Sequence, residues 1–196
     1  MRKLKIFIPI FLIILLISGI AKPIITSESI SQKVFRLHIL ANSDSQYDQN
    51  LKLLVKDEIL KLSTELFTDA KSVNDARHIA EDNIKAFENT AQQVVEANGY
   101  SYNISVTTDK EYFNTREYDG FIMPAGEYNT LKIIIGNGEG HNWWCVMYPS
   151  VCISGCTDDF DEIMNDEEKE MLTSSKFIPK FKIIEIYERI KNKILS

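Results

Sequence analysis

The chain has 196 residues, of which 44% are hydrophobic and 26% are charged, and it carries a formal net charge of −6. These fractions are typical of globular proteins, so they exclude a disordered tail, a collagen-like repeat and a polytopic membrane protein. Because the excess charge is acidic, the body has no overall electrostatic attraction for nucleic acids or anionic lipids, and a nucleic-acid partner is not expected.

The N-terminus has the three-part pattern of an export signal. Three basic residues within the first five positions precede an almost wholly apolar run over residues 6–20, and the small residues Gly19 and Ala21 stand at its end. The run is short for a spanning helix and contains Pro9, which favours a cleaved signal peptide. An uncleaved membrane anchor stays open as the alternative. In either case residues 1–21 direct the rest of the chain out of the cytoplasm.

Periodicity defines the first half of the body. Alternation predicts a strand over residues 34–41. Ser45 and Asp48 have the spacing of a capping box and begin a first amphipathic helix, and a second helix is predicted from Ser72 to Asn98. The expected apolar stripes are Leu51, Val55, Ile59, Leu62 and Leu66 in the first helix, and Ala76, Ala80, Ile84, Phe87, Ala91 and Val94 in the second.

Strands dominate the second half. The predicted elements are strands over residues 102–106, 131–135, 143–148 and 151–153, a turn-rich stretch over 118–126, an acidic solvated loop leading to a short helix over 158–170, and a last helix over 181–194. This order predicts an α+β fold, a single mainly antiparallel sheet covered by two long N-terminal helices and a C-terminal helix. We expect a short linker over residues 22–32 and a single domain over 33–196.

A glycine-rich loop at Gly136, Gly138 and Gly140 follows a strand, as a nucleotide-binding loop would. A strand pattern comes after it, so no helix N-terminus is available for a phosphate, and the third glycine of the dinucleotide fingerprint is missing. We therefore predict a hairpin turn that needs positive φ angles, with no nucleotide cofactor.

The three cysteines, Cys145, Cys152 and Cys156, lie within twelve positions. In an exported chain one disulfide and one odd thiol are expected. Cys145 with Cys152 is the preferred pair because a turn at Pro149 could bring their strands together, although spacing does not fix the pairing. Unpaired thiols, or a zinc site that adds His141, are the alternatives; the zinc site lacks a C-x-x-C knuckle, and no metal is predicted.

A Cys–His hydrolase is the enzyme hypothesis for this chain. Its candidates would be Cys145 or Cys152 as nucleophile, His38 or His141 as base, and Asn42 or Asp44 as the orienting group. The cysteines lie in strand-like runs, away from any helix N-terminus that would lower the pKa of a thiol, and no nucleophile signature surrounds them. The hydrolase is therefore the alternative, and no catalytic residue is assigned.

Three strings are specific enough to point to a family: residues 35–45 with the following Asp48 and Gln49, residues 118–128, and residues 138–149 with their Asn-Trp-Trp-Cys sequence. Over about residues 33–190 the chain resembles the stage II sporulation protein R family. The resemblance implies a non-enzymatic signal, made in the forespore of Firmicutes and exported to the intermembrane space. There it would activate a membrane-embedded aspartic protease of the outer forespore membrane, which matures the mother-cell sigma-E factor.

A ligand of this kind must bind the active state of its receptor more tightly than the inactive state, so it needs a binding surface. Adjacent tryptophans on a strand point to opposite faces, so one is expected in the core and the other is available as an exposed anchor. The polar run has a structural alternative, in which Asn42 and Asp44 bond backbone amides ahead of the first helix. The candidate partner-binding residues are His38, Asn42, Asp44, Gln49, Trp143 and Trp144. If residues 6–20 stay uncleaved, they also contact the membrane.

Overall fold

The computed structural model describes residues 19, 21–118, 120–149, 158–174 and 178–195, and these form two compact units. The first, here called the sheet unit, consists of residues 32–111 and 127–163. The second, the hairpin unit, consists of residues up to 31, residues 112–126 and the residues from 164 onward. Helices and strands together give the predicted α+β class. The single domain over 33–196 remains a prediction.

A four-stranded mixed sheet, in the order β2–β5–β1–β6, forms the centre of the sheet unit. Its strands are β1 (Phe35–Leu40), β2 (Ile104–Phe113), β5 (Gly126–Ile135) and β6 (Asn142–Tyr148). β1 is antiparallel to β6 but parallel to β5, and the parallel pair departs from the mainly antiparallel sheet that was predicted. A parallel pair needs a long crossover connection, and the helices after β1 provide it.

Three helices follow β1: α2 (Gln46–Leu66), α3 (Val73–Asp82) and α4 (Ile84–Ala97). The predicted caps are confirmed, since the Ser45 and Ser72 side chains accept hydrogen bonds from backbone N–H groups three residues later. The predicted second helix is interrupted at Asn83. The side-chain amide of Asn83 donates to the carbonyl of Ile79 at 2.8 Å, which competes with the regular helical bonding.

The helices pack on one face of the sheet. β1 contributes Phe35, Leu37 and Ile39 to this core, as its alternation predicted. Fully burying each such side chain stabilises the fold by roughly 1.5–3 kcal/mol. The main contributions from the other elements are Leu51, Val55 and Ile59 from α2, Ala76 and Ala80 from α3, Phe87, Ala91 and Val95 from α4, and Leu131, Ile133 and Ile135 from β5.

The hairpin unit contains elements that the sequence did not predict. Residues 21–31, expected to be mainly a linker, are helical and are labelled α1. The stretch expected to be only turn-rich contains strand β4 (Phe121–Met123), which pairs with β3 (Arg116–Tyr118) in a second, two-stranded sheet.

The acidic stretch over residues 158–170 was expected to be a loop leading to a short helix. The short helix is present as α6 (Asp166–Thr173) in the hairpin unit, and the part expected to be a loop contains α5 (Asp158–Ile163) in the sheet unit. Asn165 and Glu168 form a reciprocal capping box that starts α6. The loop part of the prediction was wrong because acidic residues outnumber apolar ones over residues 158–164, yet Phe160 and Met164 are buried.

The last helix, α7 (Ile178–Leu195), confirms the predicted C-terminal helix. It is joined to α1 through Glu28, which accepts hydrogen bonds from the Tyr187 hydroxyl at 3.1 Å and the Lys191 ammonium at 2.8 Å. In the part of the chain that the structure describes, no helix combines the length and apolar character needed to cross a membrane. The predicted signal or anchor lies almost wholly outside the described residues.

Candidate functional site

The polar run after β1 and the glycine loop before β6 meet to form a structure that we call the loop clamp, residues 42–49 with residues 136–141. Backbone hydrogen bonds join them: Gly140 N–H donates to the Ala41 carbonyl at 2.9 Å and Glu139 N–H donates to the Asn42 carbonyl at 3.3 Å. Two segments about 95 positions apart in the sequence therefore make one surface.

Asn42 fixes the glycine loop through hydrogen bonds of its side chain. Its Oδ1 accepts a hydrogen bond from Asn137 N–H at 3.0 Å, and its Nδ2 donates to Asp48 at 3.0 Å. A Cβ atom on Gly136 would lie 2.3 Å from Asn42 Oδ1, and one on Gly140 would lie 2.2 Å from the Ser43 carbonyl oxygen. The loop can approach the polar run this closely only because these positions lack side chains.

The predicted hairpin at these glycines is wrong, since β1 lies between β5 and β6 in the sheet. The loop instead crosses the end of β1, and its hydrogen bonds to residues 41 and 42 hold it there. The expected positive φ angles are confirmed at Gly136 (φ 60°) and Gly138 (φ 67°).

Asp48 is the buried acceptor at the base of the clamp, with 4% of its surface exposed. The Ser43 hydroxyl donates to its carboxylate at 2.6 Å and Asn42 Nδ2 at 3.0 Å. Burial by itself raises the pKa of Asp48. Hydrogen bonds from Ser43, Asn42 and the Tyr102 hydroxyl lower the pKa by more than burial raises it, so the net pKa lies below the ordinary value. The clamp is therefore built around an ionised carboxylate.

Lys52 closes the clamp on the side of helix α2. Its ammonium donates to the Gln49 side chain at 2.6 Å and to the His141 carbonyl at 2.7 Å, while Gln49 Nε2 donates to the Ser43 carbonyl at 2.9 Å. Burial lowers the pKa of Lys52, and the charge of Asp44 opposes that shift. Gln49 thus acts inside the clamp as a bridge between two of its parts.

The outer side of the clamp is the pair Asp44 and His141. Asp44 accepts a hydrogen bond from His141 N–H at 2.6 Å and a second contact from His141 Nδ1. The side-chain hydrogen bond with His141 is the main reason that the pKa of Asp44 is lowered. Both side chains are exposed, 80% for His141 and 56% for Asp44, so they are available to a partner.

The two tryptophans lie on opposite faces of β6, as predicted. Trp143 packs against the helix-side core, with the Lys56 ammonium 5.1 Å from its ring centroid. Trp144 faces the other way and stacks on the imidazole of His38, with centroids 5.6 Å apart. Both are partly buried, so neither is the freely exposed anchor that we expected.

His38 is also held by a charged cluster on that second face. Its Nδ1 lies 2.6 Å from one oxygen of Glu111, and the Lys132 ammonium donates to the other oxygen at 2.6 Å. Burial raises the pKa of Glu111, but hydrogen bonds from His38 and Lys132 outweigh it, so the net pKa is lowered. Glu111 therefore stays ionised between His38 and the Lys132 ammonium.

A family model for stage II sporulation protein R matches residues 31–158, which contain the loop clamp and both tryptophans. The chain belongs to this family. Stage II sporulation protein R of Bacillus subtilis (strain 168) is 35% identical to it over 177 residues, which cover 86% of this chain and 79% of the relative. No solved structure matches the chain significantly.

For this family member the geometry joins two of the proposed hydrolase residues, His141 and Asp44, but separates His38 from Cys145. In the β1–β6 register His38 lies opposite Trp144 and Leu37 lies opposite Cys145, so His38 and Cys145 point to different faces of the sheet. Cys145 is buried in the core and is disulfide-bonded. Its partner lies outside the described residues, as do Cys152 and Cys156, so the pairing with Cys152 stays a prediction.

The structure brings together only part of the predicted partner-binding set. Asn42, Asp44 and Gln49 belong to the loop clamp, and His38 with Trp144 forms a separate group on the sheet. The structural alternative, in which Asn42 and Asp44 bond backbone amides, is correct in part. The amides belong to the glycine loop and not to the start of α2, whose cap is Ser45.

The sequence analysis missed one exposed residue of the clamp. Tyr47, in the first turn of α2, has 76% of its surface exposed. Tyrosine is enriched among residues that dominate binding energy at protein interfaces.

Proposed function

We propose that this protein is an exported sporulation signalling protein that activates a membrane-embedded aspartic protease in the outer forespore membrane, leading to proteolytic maturation of the mother-cell sigma-E factor. The family and its curated relative carry a sporulation name, which supports a sporulation role. The N-terminal export pattern supports action in the intermembrane space, either secreted or anchored. The protein acts as a ligand and has no catalytic activity of its own.

The observation that carries this proposal is the loop clamp. Hydrogen bonds and the glycine contacts fix its backbone, while Asp44, His141 and Tyr47 remain exposed on it. A surface that is already ordered loses little conformational entropy on binding, so more of the contact energy is available to favour one receptor state. We infer that these three side chains contact the protease.

The alternative, an exported thiol hydrolase, lacks support among the described residues. Cys145 is disulfide-bonded and faces away from His38, so it has no thiolate for the His141–Asp44 pair to activate. A thiolate nucleophile needs a base on its own side of the sheet, and His38 lies on the opposite face from Cys145.

Reconstitution in a non-sporulating host tests the proposal. Residues 1–196 are co-expressed with the candidate protease and its pro-sigma substrate, and cleavage is followed by immunoblot. We expect cleavage that requires both this protein and the catalytic aspartate of the protease. Absence of cleavage, with all three proteins present and this one exported, would overturn direct activation.

The same assay tests the surface. Tyr47→Ala should reduce cleavage about tenfold or more at equal export, since truncating a central interface tyrosine costs at least about 1–2 kcal/mol. Tyr112→Ala is the matched control, because Tyr112 is 37% exposed and lies in the hairpin unit. Equal loss in both variants would contradict the assignment of the clamp as the contact surface while leaving activation itself intact.

A further inference from the structure

Helix α7 exposes a row of four isoleucines. Ile183, Ile186, Ile190 and Ile194 have 36%, 57%, 54% and 77% of their surface exposed. They are three or four positions apart, so they form a single stripe along one side of the helix. A continuous apolar row of this kind on an exposed helix marks an interaction surface.

The stripe cannot turn inward without breaking contacts. Phe181, Ile184 and Glu188 fill the buried side of α7. On a third side, Tyr187 and Lys191 are bonded to Glu28 of α1. The hydrogen bond to Glu28 raises the pKa of Lys191, so this link stays charged. The rotation of α7 is therefore fixed with its isoleucines outward.

The charges around the stripe are cationic, although the chain as a whole is acidic. Residues 178–195 contain five basic and two acidic residues. Lys182, Arg189 and Lys193 are exposed and follow one flank of the stripe. Of the two acids, Glu188 is buried, and Glu185 is bonded to Lys182 at 2.8 Å.

We propose that α7 lies flat on an anionic phospholipid surface, with its isoleucine stripe among the acyl chains and its flanking cations at the lipid phosphates. An apolar stripe bordered by lysine and arginine is the pattern of an interfacial helix. The acidic net charge does not oppose this, because screening limits charge effects to about 8–10 Å at physiological salt. The local charge of α7 therefore decides the attraction.

A second copy of this chain is a poorer occupant of the stripe. Packing two antiparallel α7 helices through their isoleucines would bring their rows of Lys182, Arg189 and Lys193 close together, and like charges across an interface are destabilising. An anionic bilayer offers both the apolar depth and the opposite charge. This proposal does not depend on activation of a protease.

An environment-sensitive fluorescent amino acid at position 190 of the full chain tests the contact. We expect its emission to shift to the blue, and nitroxide lipids to quench it, in vesicles that mix phosphatidylcholine with phosphatidylglycerol. Phosphatidylcholine alone and high salt should abolish both effects. The same probe in place of Asp69, an exposed residue outside α7, should report neither.

Charge variants separate α7 from the N-terminal segment, which is identical in all of them. Combined Lys182→Gln, Arg189→Gln and Lys193→Gln should weaken the probe response on the order of 100-fold, about fivefold for each cation. Combined Lys71→Gln, Lys85→Gln and Lys110→Gln, three exposed lysines elsewhere, should leave it unchanged. Circular dichroism verifies that each variant folds.

Three outcomes would overturn the proposal. The first is no response of the position-190 probe to anionic vesicles in folded protein. The second is an equal response to neutral vesicles, which would remove the role of the cations. The third is a blue shift without lipid that grows with protein concentration, which would identify a second copy as the occupant.

Discussion

The carboxylate of Asp48 shows how much of the loop clamp depends on one side chain. It accepts from Asn42 and Ser43, and each of these residues also bonds another part of the clamp. Removing a buried ionised acceptor leaves its donors without hydrogen-bond partners. Burying those unpaired donors costs more stability than the hydrogen bonds themselves contribute. A substitution at the centre of this hydrogen-bond network should therefore cost more stability than one at its exposed residues.

Asp48→Asn should destabilise the protein by about 1–3 kcal/mol at neutral pH, and by less in acid. The pKa of Asp48 is lowered in the folded state, so its stabilising contribution is complete above its unfolded pKa, about 3.9, and is lost as pH falls through the lower folded value. Urea unfolding of both proteins at pH 7 and in acid measures the effect. A difference between them that does not shrink in acid would contradict the role of this carboxylate.

At the scale of the elements, the sequence predicted what depends on near neighbours. The strand at 35–40 follows from alternation alone, and the caps at Ser45 and Ser72 follow from residues within one turn. The break at Asn83 was missed because its side chain competes for a carbonyl that the apolar stripe does not reveal.

The site was predictable only in pieces. The polar run and the glycine loop could each be identified in the sequence. Their contact depends on the position of β1 between β5 and β6, which no local pattern indicates. The same strand order explains why the glycine loop was misinterpreted as a hairpin. Opposite faces for Trp143 and Trp144 follow from strand geometry, whereas their partial burial depends on Lys56 and His38, which are distant in sequence.

The clamp joins two elements, so loosening it should mobilise the glycine loop before it unfolds the sheet. Asn42→Ala removes the acceptor for Asn137 N–H and a donor to Asp48. We expect amide hydrogen exchange at residues 137–141 to become about tenfold faster, which corresponds to about 1.4 kcal/mol of local stability. Residues 84–97 of α4 should exchange as in the wild type.

Asn74→Ala is the matched control for this measurement, since Asn74 is exposed on α3, outside the clamp. The control should leave exchange in the glycine loop unchanged. If Asn42→Ala accelerates α4 and the glycine loop equally, the variant lowers global stability, and the clamp is not a separately opening element.

For the molecule as a whole, positive charge is concentrated in the first five residues and in α7. The first five residues contain three basic residues and no acid, and α7 has five basic residues against two acidic ones, in a chain of net charge −6. The part between the ends is therefore more acidic than the total suggests. On our proposals, α7 contacts membrane lipid and the loop clamp contacts a membrane protein, so attachment to one surface would favour encounter with the other.

Thiol chemistry distinguishes a ligand from a thiol enzyme across the whole molecule. The chain has three cysteines and Cys145 is disulfide-bonded, so iodoacetamide should modify one thiol in the native protein and two after Cys145→Ser. Peptide mass mapping should find Cys152 newly modified, and unfolding stability should fall by roughly 2–3 kcal/mol for loss of a short-loop disulfide. New modification of Cys156 would correct the pairing.

Selective alkylation of native Cys145 that abolishes pro-sigma cleavage would contradict the ligand mechanism, because a buried disulfide sulfur has no thiolate to react.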